Sequence, residues 1–216
     1  MTTLLALETS GVLCSVAIWR GDEKFEDTRN VQRMHNQLLL EMLDTLTRRA
    51  QVQPADFAVV AFGAGPGSFT GVRIAAAVAQ SIALVADALV VPVASSRAML
   101  AASGLQSGQV VTVTRSRGDA YYLAGYRGGD DGWELVLPDA LHTQGTRALR
   151  VEGWVAVGDH PPWQEASDVP QWRGEVRVDA SHIAELGVQG LQAPEGRDPA
   201  VGLPRYVSGD TPWQAR

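Results

Sequence analysis

Only one cysteine and one lysine occur among the 216 residues of this chain. A lone Cys14 cannot close an intramolecular disulfide. That excludes the small disulfide-stapled scaffolds and makes the cytoplasm the expected compartment. Lys24 stands beside 17 arginines, and the formal net charge is −6. The first 100 residues hold 8 basic and 9 acidic side chains, the remainder 10 and 15. No basic tail or run offers a nucleic-acid backbone a track, so any nucleic acid is not expected to be held mainly by this chain. The four histidines form no H-x-x-x-H pattern and no C-x-x-C exists, so no metal site is expected. The opening MTTLLALETSG lacks a basic segment and carries Glu8, which argues against a secretory signal. The longest apolar window, Ile74 to Val93, includes Gln80, Asp87 and Pro92. It reads as a helix followed by a strand rather than as a membrane span.

What is present suggests alternating strands and helices. Thr3–Thr9 and Leu13–Arg20 read as two strands joined at Ser10-Gly11, with Lys24–Asn30 a polar third strand at the sheet edge. A first helix is predicted over His35–Ala50, a buried strand over Phe57–Phe62, a second helix over Gly71–Ala86, a strand over Ala88–Val93 and a third helix over Ser95–Ala102. Beyond Gly104 the composition shifts. Val110–Thr114 and Tyr121–Tyr126 read as strands, His182–Leu191 as a weak helix, and Pro161-Pro162 and Gly196–Pro199 as loops. A lobe boundary is expected near residues 100–106, dividing the chain into 1–103 and a smaller 104–216. Five of the six tryptophans (Trp133, Trp154, Trp163, Trp172 and Trp213) fall in the second part and are expected to pack or to form an interface.

Both long helices carry more apolar surface than one sheet can cover. In the first, Leu39, Leu43, Leu46 and Ala50 make one stripe and Met34, Leu38 and Met42 a second. In the second, Val72, Ala75, Ala76, Ala79, Ile82, Ala83 and Ala86 line one side, and Ile74, Val78 and Val85 the other. Either both helices lie deep in a large core, or they share a face for another protein. A chain of this length offers few layers, which favours the second. The expected partner-binding set is Leu38, Leu39, Met42, Leu43, Leu46, Val72, Ala75, Val78, Ala79 and Ile82.

The stretch GAGPGSFTGVRI at residues 63–74 is the most distinctive of the chain. It is not a P-loop, because no lysine follows Gly67, and its spacing is not that of a dinucleotide fingerprint. It can serve as an anion contact at the start of the second helix, with Arg73 assisting. It can equally be a structural elbow built from Gly65, Gly67 and Gly71, stiffened by Pro66 and capped by Ser68 or Thr70. The chemistry favours the elbow.

These residues resemble the signature of the bacterial TsaB (YeaZ) family, G-x-G-P-G-S-F-T-G-x-R-I/V, at Gly63, Gly65 to Gly71, Arg73 and Ile74. LLALETSGVLCSVAIW is similar to the family's first hairpin, His35 falls where a histidine often begins the first helix, and VGLPRYV resembles a closing Pro-x-Tyr segment. The resemblance is strong over about residues 3–100. It implies an α/β, two-lobed fold of the actin-like, ribonuclease H-like (ASKHA) type with a reduced second lobe. It implies a non-catalytic subunit in formation of N6-threonylcarbamoyladenosine at position 37 of tRNAs that read codons starting with A. The implied partners are a catalytic TsaD-like subunit, paired through the helices of the first lobe, and a TsaE-like ATPase. When free, the chain is expected to hide the same face as a homodimer. No catalytic residue is expected, and ATP or ADP only within the assembled complex.

Two departures weaken any nucleotide role. Glu8 stands where the family more often has aspartate, and the second-lobe pattern D-A-R-x-G-E-V-Y is replaced by Thr114-Arg115-Ser116-Arg117-Gly118-Asp119-Ala120-Tyr121. Glu8, Thr9 and His35 are therefore expected to line a vestigial cleft. Cys14, inside a strand, reads as a buried thiol. The alternatives are a stand-alone ATP-dependent enzyme of the sugar-kinase type and, less favoured, a protease using Ser68 with His35, for which no orienting aspartate is apparent.

Overall fold

The computed structural model describes residues 2–31, 34–143, 153–160, 171–190 and 202–207. The chain divides into two compact units: Met1–Ala98 with Val178–Arg205, and Met99–Arg177 with Tyr206–Arg216. The expected division at 103 into contiguous lobes is thus corrected. A late segment returns to the first unit.

In that unit, β1 (Thr3–Glu8), β2 (Leu13–Arg20) and β3 (Glu23–Asn30) form an antiparallel meander. Helix α1 (His35–Ala50) and a 3-10 turn at Pro54–Asp56 lead to β4 (Val59–Gly65), which lies parallel to β1. Helix α2 (Phe69–Ala86) then leads to β5 (Leu89–Ala94), parallel to β4, and α3 (Ser95–Ala102) follows directly. The strand order is β3-β2-β1-β4-β5. Every residue of β1 and β4 is buried, as expected of central strands covered on both faces. Leu5, Leu7, Val16, Ile18, Val60 and Phe62 meet α1 and α2 on one face. Leu4, Ala6, Ala17, Val59 and Ala61 meet Ala98 and the returning α4 (Ala180–Gly190) on the other. The amide of Ala180 donates to Ser15 Oγ on β2 (2.9 Å), and Asp179 Oδ1 accepts from the amides of Ser181 (3.0 Å) and His182 (3.3 Å). These contacts cap the returning helix from within the same unit.

The second unit holds β6 (Gly108–Arg115), β7 (Tyr121–Gly129), β8 (Gly132–His142), β9 (Val155–Gly158) and β10 (Gln171–Arg173). Their order, β10-β9-β6-β7-β8, repeats the first sheet's pattern: an antiparallel meander, then two parallel strands added at the other side. Two mixed sheets of one topology, with helices, form the α/β architecture expected. Trp154 and Trp172 pack against Val111, Val113, Leu123 and Ala156, so these two indoles serve the core. Trp163, Trp213 and the loops expected at 161–162 and 196–199 lie outside the described residues.

Candidate functional site

The glycine-rich stretch joins β4 to α2, and its conformation follows from what it touches. Gly65 has φ +93°, which disfavours any side chain, and the Gly65-Pro66 peptide is cis. The chain then runs against the backbone of the β1–β2 turn. The Ser68 amide donates to the Ser10 carbonyl (2.7 Å), and Thr9 Oγ1 donates to the Gly71 carbonyl (2.7 Å). A Cβ on Gly67 would stand 2.5 Å from that same Ser10 oxygen, and one on Gly71 would fall on the Thr9 carbonyl. Ser68 Oγ accepts from the Gly71 amide (3.3 Å) as the N-cap of α2, and the Arg205 amide donates to the Ala64 carbonyl (2.7 Å). This arrangement is an elbow. Thr70, the other capping candidate, is exposed, and the Ser68 hydroxyl offered by the protease alternative is occupied as a helix cap.

Arg73 turns back on its own helix. Its Nη1 donates to the Phe69 carbonyl (2.7 Å), and its guanidinium carbon lies 3.3 Å from the centroid of the Phe69 ring. A cation–π contact at a part-exposed site contributes about 0.5–1 kcal/mol. Arg73→Ala should therefore lower Tm by no more than about 4 °C in a chain of this size. Thermal unfolding followed by circular dichroism measures it, and a larger fall would mean that Arg73 has a structural role beyond this stacking.

Glu8 and Thr9 do not line an open cleft; both are buried inside the first unit. Glu8 is 1 % exposed. One carboxylate oxygen, Oε1, accepts the Ser10 amide, while Oε2 has no hydrogen-bond partner among the described residues. Space for the longer side chain comes from Gly63 on β4, where a Cβ would stand 2.8 Å from the Glu8 Cδ. Burial raises the Glu8 pKa from 4.5 to about 7, against the lowering effect of the Ser10 hydrogen bonds and with a smaller rise from Asp179. Enclosed in this way, the carboxyl presents no open face to solvent. His35 opens α1, with its Nε2 buried and without a partner among the described residues. The Cys14 thiol is buried in β2, and desolvation pushes its pKa up to about 11, so it is an inert core group.

The structure also sorts the two apolar helices. Leu39, Met42, Leu46, Val72, Ala75 and Ala79, all expected at a partner surface, are buried within the first unit. They supply the inward stripes that cover the sheet, so their side chains are unavailable to another protein. Leu38, Leu43, Val78 and Ile82 are only part-buried at the margin of that core. Outside it stand Leu84 and Val85 on α2, 75 % and 71 % exposed, and Leu40 on α1. By length and composition α2 could cross a membrane, yet its alanines at 75, 76, 79 and 83 are packed on the sheet and β5 follows it. Sequence reasoning missed Leu40 and Leu84 because each follows a core residue or precedes another apolar one, and composition alone does not orient a helix.

Comparison with known proteins decides the kinship. Over 98 % of its length the chain aligns with the tRNA threonylcarbamoyladenosine biosynthesis protein TsaB of Escherichia coli, at 30 % identity and covering 96 % of that protein. The chain belongs to the TsaB family. The TsaB protein of Haemophilus influenzae is 42 % identical over 101 residues, which span 47 % of this chain and 43 % of that relative. Residues 28–152 also match the family described as TsaD, tRNA N6-adenosine threonylcarbamoyltransferase. Among solved structures, YeaZ from Pseudomonas aeruginosa superposes with a TM-score of 0.80 at 29 % identity, over 96 % of this chain and 100 % of that one. The TsaB resemblance carried by the glycine stretch therefore extends across nearly the whole chain.

Proposed function

We propose that this chain is the non-catalytic subunit of the assembly that forms N6-threonylcarbamoyladenosine at position 37 of tRNAs reading codons that begin with A, and that it supports a TsaD-like catalytic subunit. Involvement in threonylcarbamoyladenosine biosynthesis is supported by the near full-length kinship with TsaB proteins. Pairing is supported by one observation above others: α2 turns its small alanines to the sheet and its large Leu84 and Val85 outward. Large apolar side chains held outside a complete core mark a surface that another protein covers. A TsaD-like subunit of related fold is the proposed occupant, with a second copy of this chain on the same face when the catalytic subunit is absent. A TsaE-like ATPase joins them. The tRNA is bound mainly by the catalytic subunit, in keeping with the net charge of −6. In this reading the assembly is cytoplasmic, and ATP or ADP is bound only within it.

The test is reconstitution. Purified chain, TsaD-like and TsaE-like subunits are assayed together for tRNA modification and with each omitted in turn, alongside co-purification of this chain with the TsaD-like subunit. Omission of this chain should abolish modification although the catalytic subunit stays folded. The isolated chain should turn over neither ATP nor peptide. Full modification without the chain, or ATP turnover by it alone, would overturn the proposal.

A further inference from the structure

We propose that Glu8 is a buried, proton-dependent latch that holds the β1–β2 turn against the start of α2. Glu8 sits at the end of β1 with Oε1 on the Ser10 amide, and the missing side chain of Gly63 provides the space for its carboxyl. Its Oε2 is enclosed and has no partner among the described residues, so protonation there removes a buried charge that nothing compensates. Ser10 and Thr9 then carry the elbow. The Ser10 carbonyl accepts from the Ser68 amide, Ser10 Oγ meets Ser95 Oγ (3.0 Å), and Thr9 Oγ1 holds the Gly71 carbonyl. Ionised, the carboxylate would have only Ser10 to donate to it in a dry site, and the turn would have to open to hydrate it.

The charged surroundings do not compensate. From the segment entering α4, Asp179 adds negative potential, and His182 on α4 is ion-paired to that aspartate (2.7 Å) rather than to Glu8. Opposite Glu8 on β2 is Ser15, followed back along the strand by the neutral Cys14 thiol. On β4 the facing residue is Gly63, and from α3 it is Ser95 that meets the turn. At the start of α2, Arg73 is bonded to Phe69. No lysine or arginine forms an ion pair with Glu8 among the described residues.

The sign follows from the direction of the shift. Glu8 holds its proton in the folded state up to about pH 7, whereas the unfolded chain releases it near 4.5. Stability therefore falls as pH rises from about 4.5 to about 7 and levels off above that. His182, raised by Asp179, loses its own contribution as pH rises through its folded value, so the two effects overlap and need separate variants.

The experiment compares wild type, Glu8→Gln and His182→Gln by denaturant unfolding from pH 4.5 to 8.5, with hydrogen exchange of the Ser68 amide corrected for the intrinsic rate. Glu8→Gln should flatten most of the pH dependence, and at pH 8 its unfolding constant should be smaller than wild type by on the order of a hundredfold. His182→Gln should keep the fall between pH 4.5 and 7. Protection of Ser68 should fall over the same range, from about pH 4.5 to about 7, in wild type and in His182→Gln but not in Glu8→Gln. Should Glu8→Gln not fold, carbon-13 titration of the glutamate carboxyls in wild type decides, with one midpoint expected near 7. A Glu8→Gln profile parallel to wild type, protection independent of pH, or all glutamate midpoints below about 5 would overturn the latch.

Discussion

Gly71→Ala should lower the melting temperature by about 6–12 °C, the response of a chain of this size to a loss of about 3 kcal/mol. The direction is opposite to the usual one. Alanine inside a helix is ordinarily favoured over glycine by about 1 kcal/mol. Here the added Cβ lands on the Thr9 carbonyl, which is main chain and cannot rotate away. Thr9 is itself buried, and its hydroxyl is bound to the Gly71 carbonyl, so neither partner can retreat without breaking that bond. Overpacking of this kind costs about 1–3 kcal/mol where side chains can adjust, and more where only backbone can move. Gly67→Ala should act in the same direction through Ser10, whereas Gly11→Ala, with nothing within 4 Å of the new atom, should be neutral. Thermal unfolding of the three variants is the measurement. A Gly71→Ala protein that melts within about 2 °C of wild type would show that the turn and the helix start are not packed as described.

Leu84→Glu and Val85→Glu should leave the free chain folded and weaken its pairing with the TsaD-like subunit by about a hundredfold or more. In the isolated chain both side chains are largely in water, so a carboxylate there costs little. In a contact it would be desolvated without a partner, a penalty of about 3–5 kcal/mol, and each 1.4 kcal/mol is tenfold in affinity. Leu39→Glu is the instructive contrast, since Leu39 is fully buried on the inward face of α1 and a charge there should unfold the first unit. Circular dichroism establishes folding, and calorimetric titration with the TsaD-like subunit measures pairing. Unchanged affinity in both surface variants would remove the outer face of α2 from the proposed contact. Sedimentation of the same variants tests the homodimer, which should dissociate in parallel.

Much of the first unit is legible in the chain itself because its signals are local. The 3.6-residue stripes place α1 at His35–Ala50, and alternation places β2 at Leu13–Arg20, as the structure has them. The glycines at 65, 67 and 71, with Ser68 among them, announce a tight turn into a helix, and that is what joins β4 to α2. The second unit is less legible. Strand β8 mixes exposed, half-buried and charged residues without a period, and β9 and β10 are only 4 and 3 residues long. Tertiary structure alone decided three matters. It returned α4 to the first sheet through a bond between Ala180 and Ser15, 165 residues apart in sequence. It enclosed Glu8 beside Gly63, turning an apparent cleft carboxylate into a buried acid. It also chose which apolar stripe of α2 faces the sheet. Periodicity reveals that a helix has apolar faces, but burial depends on what packs against each one. The small alanines went inward because they let α2 approach the sheet, leaving Leu84 and Val85 outside.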